Sequence, residues 1–256
     1  MSVDFLGYNI VDESTINLTD SIFNSLLNNG NIDYIPSKRW FACLNPHSYV
    51  LAKDDLKYSQ ALKKADWLVP DGIGIIVGLN ILCGRIIERI TGYDLFTQLH
   101  KRMNQYNNFS VFFLGSTEET LSIINNRMAK DYPNIKVSGV YSPPFKDNYS
   151  QSEIDQMISI INSVNPDILW IGMTAPKQEK WIYDHIDSLN IRLAGPIGAV
   201  FDFYAGTIKR SPPIFLHSGL EWLPRLIQQP KRLWRRTFIS APIFIADVLL
   251  AKIKKI

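Results

Sequence analysis

The chain has 256 residues, 46% of them hydrophobic and 20% charged, with a formal net charge of +3. That length buries a core as one large domain or two closely joined lobes, and the composition excludes a disordered chain. Two cysteines, Cys43 and Cys83, are too few for a disulfide framework and lack metal-ligand spacing, so reduced cytoplasmic thiols are expected. Met1 to Asn9 carries no basic and apolar signal regions, and no apolar run approaches the roughly 20 residues that span a bilayer.

Charge is unevenly spread. Residues 205–256 hold ten Lys and Arg against Glu221 and Asp247, a net +8, while the remainder carries 17 basic and 22 acidic groups, a net −5. A basic tail of this kind points to an anionic partner: a lipid surface, nucleic acid or a phosphorylated ligand. A merely solvated basic face is the alternative.

In chain order, Phe5 to Val11 reads as a strand and Leu18 to Leu27 as a helix, with Thr19 or Asn17 as cap and Asn28-Asn29-Gly30 as stop. Trp40 to Leu44 is a buried strand ending in Asn45-Pro46. Tyr49 to Ala65 has helical spacing, and Asp66 to Val69 returns as a strand that delivers Asp71 at its carboxyl end. Ile75 to Leu82 is helical, broken at Cys83-Gly84, and Thr91 or Asp94 opens a second helix that runs to about Met103. Ser110 to Leu114, Ile135 to Val140 and Ile168 to Gly172 are apolar strands. Helices ending near Tyr132 and spanning about Ser152 to Val164 separate them. Strands that are apolar throughout and alternate with helices call for a parallel sheet covered on both faces. Arg192 to Leu193 is a further strand.

Polar groups collect where strands end, the crevice in which open α/β sheets bind ligands. Val69-Pro70-Asp71-Gly72-Ile73-Gly74 is a strand end, a turn and a helix start with one carboxylate at the corner. An acid so placed serves as a general base, although Pro-Asp-Gly is also ordinary turn chemistry. Asn45 is expected at the end of the neighbouring strand. Arg89 beside a capped turn suits phosphate through its forked donors, or pairs with Glu88 or Asp94. Gly115 turns toward a helix N-terminus, a geometry suited to phosphate. Lys177 and Gln178 follow the third of the apolar strands, within a stretch whose Pro176 and Glu179 also make good helix-start chemistry. Neither a G-x-G-x-x-G nor a G-x-x-x-x-G-K-[ST] motif occurs.

The last fifty residues mix arginine with tryptophan and leucine, and on a helix Arg232, Arg235 and Arg236 share a face. Phe238 to Leu250 is apolar but short, and carries Pro242 and Asp247. An amphipathic element lying in a membrane interface fits this pattern, as does a terminal helix docked on the core or on a dimer partner.

Several blocks taken together resemble the WecG/TagA/CpsF family of bacterial glycosyltransferases from Gly7 to about Arg236. They are Leu44-Asn45-Pro46, Ala65 to Gly74, Glu88 to Leu95, Phe113-Leu114-Gly115, Pro176 to Trp181, Phe201-Asp202 with Ala205-Gly206, and Gly219 to Trp222 with Arg225 and Pro230 to Leu233. The resemblance implies a Rossmann-like α/β core over residues 1–208, in two lobes of about 1–105 and 106–208. A basic amphipathic appendage over 209–256 would complete the chain. It implies an inverting transfer from a UDP-sugar to a polyprenyl-diphosphate-linked sugar, at the cytoplasmic membrane face, in surface polysaccharide synthesis. By the same resemblance Asp71 is the base, and Asn45, Arg89 and Gln178 fall on substrate-pocket positions; Cys43, Gly115, Lys177 and Asp202 are further expected substrate-binding residues. Arg225, Arg232 and Arg235 would reach the diphosphate. Cys43 stands where related chains carry threonine, which leaves the donor sugar open, N-acetylmannosamine-type or another hexose.

No Asp-x-Asp occurs, and Asp54-Asp55 sits in an expected helix. A reaction without metal or cofactor is therefore expected, with arginines stabilising the departing diphosphate. The expected partners are the UDP-sugar, the lipid-linked glycan and an anionic membrane, with a homo-oligomer open. A nucleotide-sugar epimerase or dehydrogenase would need a dinucleotide loop. A nucleic-acid module using the basic tail would leave the polar strand ends without a purpose.

Overall fold

In the computed structural model, the described residues are 1–27, 38–209, 211–212, 215, 222–228 and 230–255, excepting the side chains of Arg225, Gln228, Arg232 and Lys255. The expected stop at Asn28 to Gly30 lies outside them. One eight-stranded sheet runs through the core in the order β1-β2-β4-β3-β8-β7-β5-β6. Its strands are β1 Ser2–Phe5, β2 Tyr8–Val11, β3 Arg39–Leu44, β4 Trp67–Pro70, β5 Phe109–Gly115, β6 Ile135–Tyr141, β7 Ile168–Gly172 and β8 Leu193–Pro196. All neighbours are parallel except β1 and β2.

The expected strand from Phe5 to Val11 is in fact this antiparallel hairpin. Leu6 and Gly7 both take positive φ, 52° and 81°, and reverse the chain in two residues. A leucine at the first of those positions hid the turn, because asparagine or glycine is the usual signal there.

Both faces of the sheet are buried, as continuous apolar strands require. On one face Trp40, Ala42 and Leu44 of β3 and Phe112 and Leu114 of β5 meet Tyr58, Leu62, Trp181 and Ile182. On the other, Phe41 and Phe113 meet Leu18, Ile22, Phe96 and Phe201. Helices α2 Pro46–Asp54, α3 Leu56–Lys64, α4 Ile73–Cys83, α7 Gln151–Val164 and α8 Lys177–His185 cover the first face. Helices α1 Thr15–Leu26, α5 Gly92–Met103, α6 Glu118–Asp131 and α9 Val200–Ala205 cover the second.

Two helix expectations need correction. Ser14 caps α1, accepting from Asn17 N–H, rather than Thr19 or Asn17. The span from Tyr49 to Ala65 is two helices, because Asp55 leaves helical geometry at φ −120° and caps α3 by accepting from Tyr58 N–H. The single helical period across residues 49–65 persists because both pieces pack on the same face.

The C-terminal segment comprises α10 Trp222–Gln228, α11 Pro230–Arg235, a π-helical turn Arg236–Ser240 and α12 Ala241–Lys255. Its Phe244 ring lies 5.5 Å from Tyr49 and 6.0 Å from Phe5, and with Val248 it joins the core. His47 Nδ1 and Ser240 Oγ share a 2.8 Å hydrogen bond, and Lys53 pairs with Asp247 at 2.6 Å. The segment therefore docks on α2 and α4. Phe238, Ile245, Leu249, Leu250 and Ile253 nonetheless face outward, so it also displays an apolar surface. No helix among the described residues is long and apolar enough to cross a membrane.

Candidate active site

β3 and β8 lie side by side while the connections leaving them run to opposite faces: β3 into α2 and α3, β8 into α9. This is the switch point at which open α/β sheets form a crevice. A cleft of about 150 Å³ opens there, lined from β3 by Cys43 and Asn45 and from β4 by Asp71. Gln178 and Glu179 line it from α8, Gly198 from the loop after β8, and Arg236 from the C-terminal segment.

The left wall is built by strand register. Cys43 pairs with Val69 and Leu44 with Pro70, which brings Asn45 and Asp71 out of neighbouring strands at one height. Asn45 is also the cap of α2. Its Oδ1 accepts from His47 N–H and Ser48 N–H at 3.0 Å each, and Ser48 closes the box onto the Asn45 backbone. With the oxygen so engaged, its amide nitrogen is the donor left for a ligand.

The glycines beside Asp71 divide the labour. Gly72 has φ 96°, which a residue with a side chain adopts only under strain. Gly74 has an ordinary backbone, but a Cβ there would stand 2.6 Å from Pro46 Cγ. Its absence lets α4 pack directly on the first turn of α2, which fixes the distance between the Asp71 and Asn45 corners.

The right wall is α8. Pro176 occupies its cap position without a side-chain cap bond, and Gln178 and Glu179 turn inward and are buried. Gly198, at φ 51°, lies over Gln178: a Cβ there would stand 3.6 Å from its Oε1. The Gly198 loop is held by Ile197 and Gly198 N–H groups, which donate to the Ile171 carbonyl at 2.9 and 3.2 Å. Gln178 Nε2 donates to Glu179 Oε1 at 2.9 Å. Burial pushes the Glu179 carboxyl up to about 7, against the opposing pull of Gln178 and the Arg236 guanidinium. Burial likewise raises the Cys43 thiol well above its usual range, with Asp71 and Glu179 adding to the effect. Cys43 is thus a neutral thiol, not a nucleophile.

The cleft gathers four of the residues singled out in the sequence: Cys43, Asn45, Asp71 and Gln178. Others stand apart from its lining. Arg89 is half-buried on a segment tied to β4, where Ile90 N–H donates to the Pro70 carbonyl at 3.0 Å, while neighbouring Glu88 accepts from Thr15. Gly115 is needed because a Cβ would meet the Gly172 carbonyl at 2.7 Å, and the adjoining α6 starts with Glu118 and Glu119, which suit the helix dipole and repel phosphate. Lys177 faces away, its ammonium 3.8 Å from the Tyr149 ring and bonded to the Lys146 carbonyl. The Asp202 carbonyl accepts the turn after α9 through Gly206 N–H. Arg235 is exposed, and the side chains of Arg225 and Arg232 lie outside the described residues.

Two site residues escaped the sequence reading. Glu179 looks like a helix-start carboxylate, and only its burial distinguishes it. Arg236 shares a helical face with Arg232 and Arg235 in the sequence reading, and the structure places it at the start of the π turn, lining the cleft. Among the described residues no three His, Cys, Asp or Glu side chains cluster as metal ligands.

A doubly covered parallel sheet with an acid, two amides and an arginine converging at its switch point is the ligand crevice of an open α/β protein. The chain belongs to the glycosyl transferase WecG/TagA/CpsF family, whose profile matches residues 3–256, and it is a glycosyltransferase. Among its relatives is an N-acetylglucosaminyldiphosphoundecaprenol N-acetyl-beta-D-mannosaminyltransferase of Bacillus spizizenii, 29% identical over 91% of this chain and 88% of that one. Proteins of the same name from Bacillus subtilis and Staphylococcus aureus are 30% and 27% identical. They cover 80% and 98% of this chain, and 77% and 94% of their own lengths.

Proposed function

We propose that this protein transfers an N-acetylmannosamine-type sugar, with inversion, from a UDP-sugar to N-acetylglucosamine carried on a polyprenyl diphosphate. Asp71 acts as general base on the acceptor hydroxyl. The observation that carries the reading is that Asp71 and Arg236 line one cleft at the sheet's switch point. Inverting transfer needs an acid that takes the acceptor proton and a cation that receives the departing diphosphate. Asn45 and Gln178 hold the sugars between them. Arg236, with Arg225, Arg232 and Arg235 from the same segment, supplies the positive charge without a metal. The relatives' names state the lipid-linked N-acetylglucosamine acceptor and the mannosaminyl group.

The C-terminal segment brings this chemistry to a membrane surface. Its apolar outward residues and the terminal Lys252 and Lys254 suit the interface of an anionic bilayer, where a polyprenyl acceptor resides. The protein accordingly works peripherally on the cytoplasmic face.

The test is incubation with a panel of UDP-sugars and a short-chain lipid-diphosphate-N-acetylglucosamine acceptor. UDP-N-acetylmannosamine is the expected donor. Asp71→Asn lowers kcat by about 10²–10⁴ with the melting temperature kept, as removal of a general base predicts. Full activity in that variant defeats the assignment of the base, and inactivity of the unaltered chain toward every donor defeats the reading itself.

A further inference from the structure

We propose that Glu179 is a substrate-binding residue of this transferase, presenting Oε2 as a hydrogen-bond donor to a hydroxyl of the sugar lodged in the cleft. This rests on the transferase reading and adds to it a residue that works by carrying a proton.

The geometry begins with two adjacent side chains that hold one another. Gln178 Nε2 donates to Glu179 Oε1 at 2.9 Å, which settles the orientation of both groups. Each then has one oxygen left over. Gln178 Oε1 and Glu179 Oε2 are sealed from solvent and have no hydrogen-bond partner among the described residues, yet both residues line the cleft. A buried polar atom without a partner is destabilising, more so if charged, and two of them side by side at a cleft point to a ligand group that satisfies both.

Chemistry decides which ligand. Gln178 Oε1 only accepts. An ionised Glu179 would also only accept, and would bury a carboxylate oxygen with no donor side chain facing it, which is unfavourable. The surroundings do little to relieve that cost. Tyr58 from α3 and Cys43 from β3 both feel Glu179 as a charge that raises them, and Asp71 from the end of β4 lines the same cleft. The Gln178 amide, the residue's own backbone N–H and the Arg236 guanidinium draw toward the ionised form, and burial outweighs them, leaving the carboxyl near 7. Below that value Oε2 carries a proton and donates. The pair then offers one acceptor and one donor, the complement of a hydroxyl, which donates to Gln178 and accepts from Glu179. Sugar hydroxyls, which both substrates carry in numbers, have this form.

Glu179→Gln is the discriminating variant. Gln178 Nε2 requires an acceptor opposite it, so the new carboxamide sets its oxygen there and turns its amide nitrogen toward the cleft. That is a donor that pH does not remove. The measurement is kcat and KM for the UDP-sugar that the unaltered chain transfers best, from pH 5.5 to 9. KM for the unaltered chain rises about tenfold per pH unit once pH exceeds the carboxyl's value of about 7. Glu179→Gln keeps the low-pH KM across the range, and Glu179→Ala raises KM at pH 6 about tenfold or more with a smaller change in kcat. UDP-sugar affinity by calorimetry at pH 6 and pH 8.5 follows the same pattern without turnover. A Glu179→Gln profile that still bends with the unaltered chain, or a Glu179→Ala variant that binds normally, overturns the proposal while the transferase reading stands. Loss of activity in Glu179→Gln at every pH, with the fold intact by circular dichroism, also overturns it.

Discussion

The backbone N–H of Asp71 donates to the Leu44 carbonyl at 2.8 Å, so the acid and its neighbour Asn45 leave adjacent strands joined by a hydrogen bond. The two corners of the cleft are therefore one rigid unit, and a change at either is felt by both stability and chemistry.

Asn45 separates those two effects. Asn45→Ala removes the α2 cap and is expected to cost about 1 kcal/mol as well as activity. Asn45→Asp restores an equally good cap acceptor but lacks the amide nitrogen. Its thermal stability should return to that of the unaltered chain while kcat/KM stays low. Recovery of activity with the cap would assign Asn45 a structural role only.

Glu179 makes stability depend on pH. Its carboxyl titrates near 7 in the folded chain against an ordinary value of 4.5, so the folded state binds the proton more tightly. Stability is full below about 4.5, falls as pH rises toward 7, and has lost about 3 kcal/mol above it. Glu179→Gln removes that loss. Its melting temperature should exceed that of the unaltered chain by on the order of 5 °C at pH 8, with little difference at pH 4.5.

His47 carries the opposite sign. Burial, then Arg236 and Arg235, hold its imidazole down to about 4 from the usual 6.5. The folded state resists the proton, so docking of the C-terminal segment is complete above 6.5 and weakens as pH falls toward 4. Amide protection across residues 236–255, corrected for intrinsic exchange, should drop over that interval. In His47→Asn, which cannot take up the proton, the drop should vanish.

Arg236 is the cleft's cation from the C-terminal segment. Arg236→Ala should lower kcat about 10²–10³-fold, the magnitude of losing one preorganised donor to developing negative charge, and Arg236→Lys should recover part of it. Chelation of divalent ions should leave the rate of the unaltered chain unchanged. A requirement for added magnesium would move diphosphate stabilisation from arginine to metal.

Much of this was legible before folding. Val111 to Leu114 and Ile168 to Ile171 are apolar without alternation, as a doubly covered parallel strand requires, and they alternate with helices. Asn45 and Asp71 follow such strands directly, so their convergence could be read from strand ends. Local signals failed where geometry came from elsewhere. The Leu6-Gly7 turn has no standard turn pair, and the break at Asp55 is masked by a period that continues through it.

The sequence by itself determined the alternation of strands and helices, the strand-end position of Asp71 and the basic character of the tail, because each is written in composition and near-neighbour spacing. The tertiary structure decided which of the polar strand-end residues meet. Lys177 and Glu179 stand two residues apart on the same helical turn, yet one faces the Tyr149 ring and the other the buried cleft. Likewise Arg236 lines the cleft while Arg235 is exposed, on a segment that the His47–Ser240 bond ties to α2 across 193 residues of chain. Direction around a helix axis and burial against a distant segment set these outcomes, and neither is a property of the local sequence.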